Sequence, residues 1–110
     1  MIFIGIGSNI PAMGFVSPKA TIRAAIDLFD DFGITLVRLS KFYLTSPVPA
    51  SDQPWFVNCV AQIETSLSPV GCMTNLHHLE SVFQRVRSVP NASRTLDLDL
   101  LDYNGLVIGK

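Results

Sequence analysis

Cysteine and histidine are scarce, two of each in 110 residues. Cys59 and Cys72 form no C-x-x-C pair and have no histidine at zinc-ligand spacing, so a zinc site and a disulfide framework are both excluded and two free thiols are expected. His77 and His78 are adjacent on a helical stretch and diverge by about 100°, whereas metal-binding pairs sit three or four residues apart. They read as a surface pair. Charged residues make up 15% of the chain and the net charge is −1, so nothing in the total suggests a nucleic acid or an anionic membrane as partner. No apolar run approaches the roughly 18 residues of a spanning helix. The opening "MIFIGIG" has no basic flank, the first lysine being Lys19, and reads as a strand and not a leader. Together these absences predict a soluble cytoplasmic chain. Internal repeats and low-complexity segments are also missing.

What is present is apolar: 48% of residues are hydrophobic, enough for one compact domain over residues 1–110. Residues 2–7 predict a buried strand ended by Gly7-Ser8-Asn9. Ser17-Pro18 supplies an N-cap and a first-turn proline, and Ile22, Ala25, Ile26 and Phe29 recur at helical spacing before Gly33. The β-formers of 34–43 predict a strand, and 55–65 alternates. Trp55, Val57, Cys59, Ala61 and Ile63 share one face of that segment; Phe56, Asn58, Val60, Gln62 and Glu64 share the other. Ser68-Pro69 opens a second helix expected to run to about Arg85, with an apolar stripe of Met73, Leu76, Leu79, Val82, Phe83 and Val86. A loop leads to a strand at 95–103, and Asn104-Gly105 predicts a hairpin into 106–108. The order β-α-β-β-α-β is that of an α+β, ferredoxin-like antiparallel sheet with both helices on one face and an extra C-terminal hairpin. The other face is left open.

The segment "RTLDLDLL", Arg94 to Leu101, carries the strongest chemical signal. Aspartate is disfavoured in strands, yet Asp97 and Asp99 stand two apart and so point to one face. Side by side at 6–7 Å, two such charges repel by roughly 2–3 kcal/mol at an effective dielectric of about 20. Three of the five arginines, Arg85, Arg87 and Arg94, cluster just upstream. Carboxylates that hold Mg²⁺ together with guanidinium forks that grip phosphate suggest metal-assisted phosphoryl transfer. Two solvated aspartates on an open sheet face are the plainer alternative. Phe56 and Asn58 offer a stacking plane beside a two-way hydrogen-bonding amide, suited to a flat heterocycle; an edge covered by a loop is the plainer reading. "GIGSN" lacks the third glycine of a dinucleotide fingerprint, since Ile10 stands there, and reads as a tight strand exit.

Taken together, "GSN", "YLTSPV", "DQPWFVN", Leu79-Glu80, "RVR" and "RTLDLDLL" resemble, in order and spacing, the 6-hydroxymethyl-7,8-dihydropterin pyrophosphokinases of folate biosynthesis. The resemblance implies a ferredoxin-like fold and transfer of a pyrophosphoryl group from ATP to the pterin hydroxymethyl, releasing AMP. It implies that Asp97 and Asp99 hold two Mg²⁺ ions, and that Arg85 and Arg94 contact the ATP phosphates. Glu80 is implied near the nucleotide. Thr45, Ser46, Val48, Phe56 and Asn58 are implied in the pterin pocket, Phe56 stacking on the ring and Asn58 binding its aminopyrimidine edge. ATP and hydroxymethyldihydropterin are then the partners of a monomer. Gln84 departs from the family, which usually has glycine there, and the loop at 88–93 is a residue short and lacks a Lys and a Trp found in some members. The chain stops at Lys110 where members continue through a Pro-His-Pro-Arg-like segment and a second stacking aromatic, so it reads as truncated. Two other functions stay open: a shortened relative that binds pterin or nucleotide without turnover, and a regulatory or assembly module dimerising through Phe56 and Val60.

Overall fold

A computed structural model describes residues 1–47, 49–84 and 93–107. Within them the chain is α+β: an antiparallel sheet with two helices. β1 (Ile2–Ser8) lies between β4 (Phe56–Glu64) and β5 (Asp97–Tyr103), with β2 (Thr35–Leu39) beyond β4 and β6 (Leu106–Val107) beyond β5. β3 (Tyr43–Thr45) pairs with the start of β4. The helices are α1 (Pro18–Asp27) and α2 (Pro69–Val82). Among the described residues no helix is long and apolar enough to cross a membrane.

Strand alternation sorts the two faces. Ile2, Ile4 and Ile6 of β1, Cys59, Ala61 and Ile63 of β4, and Leu98 and Leu100 of β5 are buried with Ile22, Ala25, Leu76 and Leu79 of the helices. Each fully buried aliphatic side chain contributes roughly 1.5–3 kcal/mol. The faces expected for 55–65 are those observed within Phe56–Glu64, while Trp55 precedes the strand and is exposed.

Both helices begin as their sequences require. Ser17 Oγ accepts the Ala20 N–H at 3.1 Å and Ser68 Oγ accepts the Gly71 N–H at 3.1 Å, each cap followed by proline. Three boundaries differ from expectation. α1 stops at Asp27, and a 3-10 turn over Phe29–Phe32 carries the chain to Gly33, whose φ of 76° closes it. The strand expected at 34–43 ends at Leu39, because Ser40 interrupts it: its Oγ accepts the Val60 N–H at 2.8 Å, replacing a backbone partner; a further short strand, Tyr43–Thr45, falls mostly in the segment expected as loop. α2 ends at Val82, since Gln84 adopts φ 62°. That left-handed conformation costs a non-glycine residue about 1–2 kcal/mol. The Gln84 side chain offsets it by accepting the Met13 N–H and donating to the Val82 carbonyl. Val82 is exposed, contrary to the expected stripe, while Cys72 and Glu80 are buried instead. The ends of β5 and β6 fall within the expected 95–103 and 106–108.

Candidate functional site

Cross-strand register builds the site on the open face. Gly7 pairs with Asn58 on one side and Asp97 on the other, and Gly5 pairs with Val60 and Asp99. Directly opposed residues share a face, so Asn58, Gly7 and Asp97 form one row and Val60, Gly5 and Asp99 the next. At about 4.8 Å per strand, Asn58 and Asp97 stand roughly 10 Å apart with no side chain between them. The gap is tight underneath: a Cβ on Gly7 would come within 2.8 Å of Asn58 Oδ1. Neither glycine has a positive φ, and the strand leaves at Ser8 into a bend at Asn9-Ile10, where the exit was expected. Gly7 leaves the row between Asn58 and Asp97 without a side chain of its own, whereas the Leu101 side chain packs over Gly5, 3.5 Å from where a Cβ would stand. Two glycines spaced two apart inside a strand are the signal that could have revealed it.

The side expected to take a heterocycle is assembled by β3 and β4. Thr45 pairs with Phe56 and Tyr43 with Asn58. Asn58 Nδ2 donates to Thr45 Oγ1 at 2.7 Å, with a longer contact of 3.4 Å to the Phe56 carbonyl. Those contacts occupy the amide nitrogen and turn Oδ1 toward Gly7. Thr45, Phe56 and Asn58 are therefore together; Ser46 follows Thr45 and is exposed, and Val48 lies outside the described residues.

The charged side is set by β5. Arg94 Nη1 approaches Asp97 Oδ2 at 3.4 Å. Arg85 lies outside the described residues, as does most of the loop at 88–93. Glu80 stands apart from the open face: it is 1% exposed on α2, and its Oε2 accepts the Leu98 N–H at 2.7 Å. Leu98 lies between the two aspartates, and on the β5 edge away from β1 no strand among the described residues pairs with it. The buried carboxylate supplies the missing acceptor.

The Asp99 carboxyl is pushed up to about 7 from 3.8, first by partial burial, then by its hydrogen bond to Asp97 and that group's charge, then by Glu80; Arg94 acts in the opposite sense. Asp99 is exposed as a residue, so water screens part of this repulsion. An acid whose folded pKa lies above its unfolded value binds its proton more tightly when folded. The stabilisation is full below the unfolded value and is lost as pH rises toward the folded one. In chelator, the melting temperature of Asp99→Asn should therefore gain on that of the parent as pH rises from about 4 to 7. A gap that stays constant across that window would contradict the assignment.

Among the described residues no group of three or more His, Cys, Asp or Glu could hold a metal. Two carboxylates with surplus negative charge on an open shelf nevertheless fit Mg²⁺, which usually takes one or two protein carboxylates and completes its shell with water and phosphate oxygens. They do not fit zinc. A groove of about 420 Å³ on the same face, lined by Phe3, Arg38, Leu39 and Val60 among others, includes none of the expected site residues.

A family model described as 7,8-dihydro-6-hydroxymethylpterin-pyrophosphokinase (HPPK) matches residues 3–109. The chain is similar to 2-amino-4-hydroxy-6-hydroxymethyldihydropteridine pyrophosphokinases of several bacteria. It is 38% identical to that of Pseudomonas aeruginosa over 101 residues, 91% of this chain and 59% of the relative. It is 38% identical to that of Haemophilus influenzae over 107 residues, 96% of this chain and 64% of the relative. With that of Pseudomonas putida it shares 34% over 107 residues, covering 84% of the relative. The chain thus spans about three-fifths of the length of the first two. With nearly every residue inside the family match, the chain belongs to the 7,8-dihydro-6-hydroxymethylpterin-pyrophosphokinase family.

Proposed function

We propose that this protein transfers the pyrophosphoryl group of ATP to 6-hydroxymethyl-7,8-dihydropterin, as the names of its relatives say of them. The observation that carries the reading is the row Asn58–Gly7–Asp97, which offers a heterocycle-binding amide and a metal-binding carboxylate across an empty glycine. Phe56 stacks on the pterin ring, and Asn58 Oδ1 accepts from an N–H of the aminopyrimidine edge, its own nitrogen being held by Thr45. Ser46 and Val48 complete that pocket. The ring then lies over Gly7 with its hydroxymethyl toward β5.

The hydroxymethyl oxygen attacks the β-phosphorus of ATP as the bond from that phosphorus to the α,β-bridging oxygen breaks. The hydroxyl proton is released, and AMP leaves with the bridging oxygen. Arg94 and Arg85 hold the phosphates, Arg94 being positioned by Asp97. Asp97 and Asp99 would hold a pair of Mg²⁺ ions, whose charge offsets that of the phosphates and of the developing transition state. The contact of Glu80 with the Leu98 N–H suits support of the β5 edge better than contact with nucleotide. The strand order β2-β4-β1-β5 supports a ferredoxin-like fold with an added β5–β6 hairpin. The protein is read as a cytoplasmic monomer of one domain.

The test is AMP formation from ATP, Mg²⁺ and hydroxymethyldihydropterin. AMP should appear only when the pterin is present and should match the pyrophosphorylated product mole for mole. Binding of both ligands without AMP supports instead a relative that binds and does not turn over; binding of neither overturns both readings.

A further inference from the structure

Asn9 follows β1 directly and is 2% exposed. A buried amide whose hydrogen-bonding groups go unmet costs about 1–3 kcal/mol for each. Asn9 meets its groups on two segments far apart in sequence. Its Nδ2 donates to Gln53 Oε1 at 3.0 Å and to the Pro54 carbonyl at 3.1 Å, and its Oδ1 accepts the Arg94 N–H at 2.7 Å. The Asn9 N–H also donates to the Arg94 carbonyl at 3.0 Å. The Pro54 carbonyl can only accept and the Arg94 N–H can only donate, so the amide has one orientation.

The two segments lead to the two halves of the site. Gln53-Pro54 runs directly into Phe56 and Asn58, while Arg94 precedes Asp97 by three residues and pairs with it. We infer that Asn9 is a positioning residue that holds the pterin half of the site in register with Arg94. The inference rests on the proposed function, because only that reading makes the two halves bind different substrates. Asn9 itself touches neither.

The two contacts can be separated chemically. Asn9→Asp keeps an oxygen for the Arg94 N–H but sets another against the Pro54 carbonyl. Gln53 can turn its own amide to donate; Pro54 has nothing to donate. Asn9→Ala, or Asn9→Ser if the alanine variant does not fold, removes the side-chain contacts to both segments and leaves the Arg94 segment only the backbone bonds to its carbonyl. With Mg²⁺ and a non-hydrolysable ATP analogue, Asn9→Asp is expected to weaken pterin binding about tenfold and leave nucleotide binding within about twofold, whereas the shorter variants weaken both. Amide exchange at Arg94 should stay slow in Asn9→Asp and speed up about tenfold in the shorter variants. Equal losses for both ligands in Asn9→Asp, or no loss, would overturn the inference. If the parent protein binds neither ligand the functional reading fails, and exchange alone then decides: the same rate at Arg94 in Asn9→Asp and Asn9→Ala removes the positioning role.

Discussion

Replacing Asp97 or Asp99 by asparagine is expected to lower turnover about a thousandfold, a loss on the order of 4 kcal/mol of transition-state stabilisation. Asparagine keeps the size of the side chain and one acceptor oxygen, so β5 and its pairing with Gly5 and Gly7 are preserved. What is lost is charge. Mg²⁺ is a hard cation that relies on carboxylate charge, and phosphoryl transfer asks the protein mainly for positioning and charge neutralisation. Loss of activity here should come without loss of folding. The sheet now holds two adjacent carboxylates with Glu80 behind them, and Asp99 responds by holding its proton up to about 7. Removing one of the three negative charges relieves repulsion, so Asp99→Asn should melt no lower than the parent at pH 8 without metal. Steady-state rates at saturating Mg²⁺, with melting curves on the same samples, check both halves. Retention of more than about a tenth of the parent rate would contradict the metal-binding assignment, since a lost charge-bearing contact of this kind costs far more.

Glu80→Ala should have the largest effect on stability, about 3 kcal/mol. The residue is 1% exposed, and its carboxylate accepts the Leu98 N–H on the β5 edge away from β1, where none of the described strands pairs with Leu98. Alanine leaves that N–H buried without its acceptor and opens a cavity between α2 and the sheet. Glu80→Gln keeps a carbonyl oxygen for Leu98 and removes a charge near Asp99, so it should cost less than about 1 kcal/mol and lower the Asp99 pKa. Urea titration distinguishes them. If both variants lose the same stability, the hydrogen bond to Leu98 is not what Glu80 contributes. Because Leu98 separates the two aspartates, Glu80→Ala should also reduce turnover.

Much of the fold was legible because local rules and tertiary packing agree. Ser17-Pro18 and Ser68-Pro69 open helices as capping chemistry requires, and the alternation of 55–65 sorts Cys59, Ala61 and Ile63 inward from Asn58 and Gln62. Boundaries failed where a single side chain competed with the backbone: Ser40 ends early the strand expected to reach Tyr43, and Gln84 ends α2 early in a conformation that favours glycine. On the site, the common face of Asp97 and Asp99 follows from a period of two, and that of Phe56 and Asn58 likewise. The roles of Gly5, Gly7 and Asn9 were not read from the sequence, although GSN carried part of the resemblance. Their value depends on what stands opposite them in β4, β5 and the loop before β4, and pairing between distant strands is not written in local pattern. Glu80 was legible only through resemblance, since a glutamate on a helix gives no local sign that it faces a strand edge.

The most direct measurement follows the label from ATP carrying ³²P at the β position, incubated with Mg²⁺ and hydroxymethyldihydropterin. Pyrophosphoryl transfer on the shelf between Asn58 and Asp97 predicts that the β label moves to the pterin while AMP is released unlabelled, and that Asp97→Asn stops it. Label remaining in ADP, or no labelled pterin at any Mg²⁺ concentration, would contradict the account.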